Sequence, residues 1–347
     1  PVNLKDFTAV LKVPEALHYI DAPVAVALSL EADAKVGLLM SDIYVDVGKG
    51  QLLHDTAYPV AGEIDFITLE SEFDLKSNHF HINKIDGKLK DYELNGEALV
   101  YFDDGIARPG IKANIALSGL NIPDLKIYWP NFGSNTAKKW VVDNMTTGSF
   151  SNINFLVDVG SDGVGTYRDG SVFDLTFKFR GLDAKYSKTL PIITEAEGYS
   201  RYTFTMLDMT IETAQVDGMT LGASHFIMHD LDIKGKAYSL IDVHLAAPME
   251  NLLHLTAFAP ISLNDRMNIA PERLKGFAIT DTKLRIPMIK SLKAADIEFV
   301  TQVHGTNIEV HDLLGGEGVR RGTVDLTVDK HGLQASGDIL FNGVAMQ

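Results

Sequence analysis

The sequence predicts a mainly β protein, a long twisted antiparallel meander interrupted by a few short amphipathic helices. Three observations carry this expectation. Apolar and polar residues alternate with a period of two in many short runs, the pattern of strands with one dry and one wet face. Asn-Gly and Asp-Gly pairs, which supply the positive φ angles of tight hairpin turns, recur along the chain: Asp86-Gly87, Asn95-Gly96, Asp104-Gly105, Asp162-Gly163, Asp169-Gly170, Asp217-Gly218 and Asn342-Gly343. Clear helical periodicity is confined to one central stretch, residues 128–148.

Taken in order, residues 24–101 alternate short apolar runs with turn signals: Ile43, Val45 and Val47 end at Gly48, and Ile64 and Phe66 share a face before Glu70-Ser71-Glu72. In the central stretch Ala137, Trp140, Val141 and Met145 fall on one apolar stripe beside Lys138, Lys139 and Asp143. Pro130 closes the strand expected before it, Ser134 or Asn135 caps the first turn, and Gly148 sits where a left-handed helix end is wanted. Both tryptophans, Trp129 and Trp140, lie here, and Trp129, Trp140, Val141 and Met145 are the expected packing residues of the helix. Such a helix must bury its stripe against a sheet end or against something greasy. Packing on the sheet is the preferred reading over contact with lipid.

The strands beyond are clearest. Ile153, Phe155, Val157 and Val159 oppose Asn152, Asn154 and Asp158, and Phe173, Leu175, Phe177 and Phe179 oppose Asp174, Thr176, Lys178 and Arg180. Val324, Leu326 and Val328 oppose Thr323, Asp325, Thr327 and Asp329. Across residues 202–211 the apolar phase switches, which a bulge would explain. Residues 248–256 start with Pro at a first-turn position and read as a helix, residues 271–276 as a single turn, and residues 287–295 as another short helix. No linker, charge block or compositional shift marks a boundary, so residues 1–347 read as a single elongated β body.

Composition excludes several functions. At 46% hydrophobic and 22% charged the chain is an ordered globular protein, and a net charge of −15 argues against a nucleic-acid partner and against passive adhesion to an anionic bilayer. The absence of cysteine removes disulfides, thiolate zinc sites and a cysteine nucleophile, and is compatible with an oxidising compartment. The longest apolar run, residues 22–30, falls far short of the ~20 residues of a membrane span. The chain starts at Pro1 with no visible signal peptide, so it reads as a fragment or processed chain, with any anchor expected outside it.

Candidate chemistry is weak. Asp158, Asp162, Gly163 and Asp169 fit positions 1, 5, 6 and 12 of a calcium loop, but Gly160 and Asp169 replace two defining ligands, and a hairpin connection explains the same residues. His79 and His81 share a strand face, with His225 and His229 elsewhere, but no third metal ligand is identifiable and surface histidines are the plainer reading. Gly315-Gly316-Glu317-Gly318 before Arg320-Arg321 suits a phosphate nest, yet lacks the strand-to-helix setting and reads better as a turn. No G-x-S-x-G elbow is present, and Asp103-Asp104 are turn residues. The expectation is therefore no enzyme, no metal and no cofactor.

The residues do support a resemblance. Trp129-Pro130, the central Trp140, and Asn144-Met145-Thr146-Thr147-Gly148 are similar to a motif in which a Trp-Pro or Leu-Pro pair precedes a short helix ending in Asn-x-Thr-x-Gly. Gly181-Leu182-Asp183-Ala184-Lys185-Tyr186 followed by Leu190-Pro191, the span from Pro260 to Leu284-Arg285-Ile286-Pro287 with Leu274-Lys275-Gly276, and the closing residues 322–343 follow in the same order. Together these resemble the AsmA-like superfamily of bacterial envelope proteins, in the branch related to YhdP and TamB. The resemblance covers residues 80–347, with the helix near 134–146; residues 1–80 match in texture only.

That resemblance implies a sheet curled into an open, β-taco-like groove in the periplasm of a Gram-negative bacterium, anchored to the inner membrane by regions outside this chain. It further implies support for phospholipid transport between inner and outer membranes, and so a role in outer-membrane biogenesis. The expected partner is phospholipid or another acyl lipid. About 20 strands at ~4.8 Å spacing would give a body on the order of 95 Å long. Shielding matters because each exposed methylene costs about 0.8 kcal/mol, roughly 12 kcal/mol for a 16-carbon chain. The expected lipid-binding lining is Ile153, Phe155, Val157, Phe173, Leu175, Phe177, Phe179, Val324, Leu326 and Val328. The alternative is a non-catalytic structural or assembly protein of the envelope that closes on itself and binds protein partners through its sheet edges.

Overall fold

The computed structural model describes residues 2–3, 19–33, 37–54, 58–74, 76–101, 109–129, 131, 135–160, 171–187, 190–255, 270–314 and 317–347. Strand is the dominant element and every strand pairing is antiparallel, so the fold is the mainly β meander that the period-two alternation predicts. Contacts divide the chain into two compact units, Pro1–Lys178 with Arg201–Phe204, and Phe179–Ser200 with Thr205–Gln347.

The first unit begins with β1 (Val2–Asn3), β2 (Ile20–Asp21), β3 (Pro23–Asp33), β4 (Gly37–Val47), β5 (Gly50–His54), β6 (Tyr58–Ile64) and β7 (Phe66–Asp74). It continues through β8 (His79–Leu89), β9 (Tyr92–Tyr101), β10 (Gly110–Asn121) and, after two helices, β11 (Met145–Val159). Strands β3, β4, β7, β8, β9, β10 and β11 pair in that order, while β2, β5 and β6 form a small separate sheet. The helices are α1 (Ile122–Tyr128) and α2 (Asn135–Asn144). Helix α1 replaces the strand expected before Pro130. Asn121 caps it, its Oδ1 accepting from Asp124 N–H at 2.7 Å, with Pro123 in the first turn. Ala22, Val47, Ile64 and Leu89 make the buried core of this end, with Tyr128 and Leu117 packed against it.

Strands β12 (Val172–Ala184) and β13 (Ile193–Thr203) contribute to both units. The second unit then runs through β14 (Leu207–Val216), β15 (Met219–Leu221), β16 (Ser224–His229), β17 (Tyr238–Pro248), α3 (Met249–Leu255) and β18 (Leu274–Pro287). It closes with β19 (Glu298–Leu314), β20 (Glu317–Asp329), β21 (Gly332–Phe341) and β22 (Val344–Met346). Helix α3 lies within the helix expected over residues 248–256, and the turn expected at residues 271–276 is a 3-10 turn at Pro271–Arg273. Residues 287–295 are not a helix; the chain makes turns there and ends in a 3-10 turn at Ala294–Asp296. Among the described residues of this unit, Val216, Met219 and Ala247 form one buried cluster and Leu253, Leu274 and Ile308 another.

Several turn signals mark something else. Asp217-Gly218 and Asn342-Gly343 do turn, with all four residues at positive φ. Asp86-Gly87 and Asn95-Gly96 lie inside β8 and β9 instead. A Cβ on Gly96 would stand 2.6 Å from Asn114 O, so this glycine serves close strand approach rather than chain reversal. The real β8–β9 turn is Lys90-Asp91, with Lys90 at φ 56°. The phase switch across residues 202–211 is likewise a chain reversal between β13 and β14 and not a bulge. Asp104-Gly105, Asp162-Gly163 and Asp169-Gly170 lie outside the described residues.

Candidate functional site: an apolar sheet face

In an antiparallel ladder, directly opposed residues project to the same face, so cross-strand register shows how far an apolar face continues. In the first unit it continues across seven strands. One row of opposed partners reads Val26, Val45, Leu69, Ile85, Gly96, Ile115 and Phe155. The next reads Leu28, Ile43, Ser71, Ile82, Ala98, Ala113 and Val157. The flanking rows end at Ile153 and Val159 and are equally apolar. Ile82 and Ile85 are an odd number of residues apart, and a register shift between them in the β8–β9 pairing returns both to this face. The opposite face carries Asp42, Glu72, His81, Leu99, Lys112 and Asp158 along one row, charged or polar except at Leu99, with Lys112 Nζ 3.0 Å from Asp158.

Aromatic rings extend the apolar face. The Phe173 ring lies 5.2 Å from Phe155, 5.5 Å from Tyr202 and 5.3 Å from Phe204, and Phe177 meets Phe150 edge-on at 5.2 Å. These are tilted and edge-to-face pairings, which add to area burial. Ile153, Phe155, Val157, Phe173, Leu175 and Phe177 are all half-buried, whereas Val26, Leu28 and Leu30 on β3 are 63%, 58% and 58% exposed. Half-burial across so many apolar rows means that little packs against this face among the described residues.

One end of the face is closed. Val24, Val45, Ile67 and Leu117 pack onto the core beneath β2, β5, β6 and α1. Helix α1 is held there by Asp124, whose side chain is 5% exposed. Its carboxylate accepts from Tyr92 Oη at 2.6 Å and from Lys90 Nζ at 3.0 Å to both oxygens. Burial pushes this carboxyl up, but the Tyr92 hydrogen bond and the Lys90 ammonium outweigh it and hold it below the usual carboxylate range. Tyr128 Oη donates to Glu63 O at 2.8 Å, and burial with the nearby Asp124 and Glu63 charges pushes its phenol up to about 12.

The second unit has its own apolar rows. One reads Ala214, Leu221, Leu245, Thr280, Val303, Leu326 and Ala335, and another Met209, Phe226, Ile241, Leu284 and Phe299. Leu326 and Val328 are half-buried on this unit's face, Val324 packs against the Leu253–Leu274–Ile308 core, and Phe179 is 4% exposed. Helix α3 plugs one end, as α1 does in the first unit, with His254 Nδ1 3.0 Å from Asp217 Oδ2 and Asn251 Nδ2 donating to Asp217 O at 2.9 Å.

The central helix does not pack as its stripe suggested. Helix α2 stops at Asn144 and Met145 already starts β11, so Met145 belongs to a strand. Gly148 has φ 107° within that strand rather than at the helix end. Trp140 is 43% exposed, and Val141 is half-buried. Trp129 caps α1 instead, its N–H donating to Leu125 O at 3.0 Å. A short helix rich in Lys, Asn and Asp presents too narrow an apolar stripe to bury a tryptophan. Sequence reasoning missed the α1 plug, although Asn121, Pro123 and Asp124 together spell a helix start.

The remaining candidates stay apart. Asp158 pairs with Lys112, while Asp162, Gly163 and Asp169 lie outside the described residues. His79 and His81 stack edge-on at 5.8 Å, His225 meets Asp208 at 2.7 Å, and His229 stacks on Tyr238. Among the described residues no three His, Asp or Glu side chains converge at metal-binding distance. Gly315-Gly316 and Asp103-Asp104 lie outside the described residues, and Arg320 and Arg321 are exposed on β20. No helix among the described residues is long and apolar enough to cross a membrane. Comparison with family models, with curated proteins and with solved structures finds no match to this chain.

Proposed function

We propose that this chain shelters lipid acyl chains on its apolar sheet face and supports phospholipid transport between the inner and outer membranes of a Gram-negative envelope. It works without catalysis from the periplasm, held to the inner membrane by regions outside this chain, with the sheet curled into an open groove around the tails. The observation that supports this reading most is the register-continuous apolar face of the first unit, seven strands wide and only half-buried. Ordinary packed cores bury such residues almost completely. An acyl chain laid along a row removes its methylenes from water at about 0.8 kcal/mol each, while its headgroup remains in solvent. The charged opposite face keeps the sheet soluble.

Organic-solvent extraction of the purified chain, followed by mass spectrometry, tests the proposal. Phospholipid is expected in the extract of the native chain and of Asn154→Glu, which alters the polar face. Phe155→Glu places a carboxylate in the apolar row and is expected to keep the fold but lose the lipid. A native chain without lipid, or a folded Phe155→Glu protein that retains it, refutes the proposal; a lipid-free chain leaves a structural or assembly role.

A further inference from the structure

At one end of the second unit, β16 connects to β17 through residues 230–237, and β18 connects to β19 through residues 288–297. The two connections adjoin: Met288 N–H donates to Ala237 O at 2.8 Å, and Ser239 Oγ lies 3.4 Å from Met288 Sδ. Ile233, Met288, Ile289 and Leu292 are 42%, 46%, 45% and 40% exposed on them. Single exposed apolar residues are ordinary, but four on two touching loops form a patch.

Lysines are interleaved with that patch. Lys234, Lys236, Lys290 and Lys293 are all exposed, and none has an ion-pair partner among the described residues. Lysines on the sheet strands, such as Lys112 and Lys84, pair with carboxylates. The acids on these loops are Asp230, Asp232 and Asp296, and Asp296 Oδ2 is occupied in accepting from Lys293 N–H at 2.9 Å. The tip is thus slightly positive in a chain of net charge −15.

We propose that these two loops form a docking tip for a bilayer surface that contains anionic phospholipid. The apolar side chains enter the interface while the lysine stems lie along it and place their ammonium groups among the headgroups. The strongly acidic remainder is repelled by the same surface, which selects this end for contact. Docking at this tip does not depend on lipid being sheltered by the apolar rows.

Flotation of the full chain with phosphatidylcholine vesicles, with and without one-quarter phosphatidylglycerol, at low and physiological salt tests the tip. Native protein is expected to float with the anionic vesicles, and less so as salt rises. Each lysine near an anionic surface is worth about fivefold in binding, so Lys290→Glu with Lys293→Glu is expected to weaken flotation by at least about 25-fold. Ile289→Asp with Leu292→Asp is expected to abolish it, while Lys76→Glu with Lys178→Glu, which changes net charge equally elsewhere, leaves it within about twofold. Thermal melting confirms that each variant is folded. Absent flotation of the native chain, equal flotation with neutral vesicles, or native-like binding by either loop variant overturns the proposal.

Discussion

Asp124 is the residue whose removal best tests how the α1 plug is held. Its carboxylate is nearly buried, accepts from Tyr92 Oη at 2.6 Å, and meets Lys90 Nζ at 3.0 Å. A buried hydrogen bond to a charged acceptor contributes about 1.5–3 kcal/mol, and the Lys90 partner is exposed enough for solvent to screen much of its share. Asp124→Asn is therefore expected to cost about 2–3 kcal/mol at pH 7, because the amide keeps the shape but cannot offer two anionic acceptors. The folded carboxyl titrates below its ordinary value, so between the two values the unfolded chain holds more protons. The network therefore stabilises the protein above about pH 4, and that contribution is lost as pH falls through the folded value. Denaturant midpoints at pH 7 and pH 3, with hydrogen exchange across Ile122–Tyr128, read both effects. A variant within about 0.5 kcal/mol of native at pH 7, or a gap that widens on acidification, refutes the reasoning.

Tyr128 carries the opposite sign. Its phenol is raised to about 12, so its hydrogen-bonded form stabilises the fold below about pH 10 and the benefit is lost between about pH 10 and 12. Burial also raises Tyr58, Tyr92 and Tyr186, so absorbance titration of Tyr128→Phe is expected to lose one late-ionising tyrosine relative to the native chain. Met219 is 0% exposed in the core beneath α3, so Met219→Ala is expected to cost about 2–5 kcal/mol in the second unit, read by calorimetry; a loss below about 1 kcal/mol would show that the core collapses to fill the space.

Much of the fold is legible in the sequence because strand alternation is local. Ile153, Phe155 and Val157, or Val324, Leu326 and Val328, declare a shared face without knowledge of their partners. Which strands join into one face is not local: that Val26 and Phe155 belong to the same row depends on pairings between residues far apart in sequence. Glycine misled for a related reason. Gly87 and Gly96 look like turn residues beside Asp and Asn, but both lie in strands: at Gly96 the close approach of Asn114 O leaves no room for a Cβ, and at Gly87 a Cβ would stand a tight 3.1 Å from Phe66 O. Period alone places residues 137–145 on one helical stripe, yet the chain enters β11 at Met145 before the stripe is complete, leaving Trp140 exposed. The α1 plug was hidden by its brevity, since seven residues hold too little period to stand out.

Photo-crosslinking asks most directly whether the apolar rows carry acyl chains. Benzoylphenylalanine in place of Phe155, and separately in place of Asn154 on the opposite face, is irradiated in the presence of phospholipid vesicles and the adducts are weighed. Acyl-chain adducts at position 155 exceeding those at 154 by at least about tenfold are expected, the equivalent of about 1.4 kcal/mol of preference. Equal labelling at the two positions, or none at 155, contradicts a lipid-sheltering face.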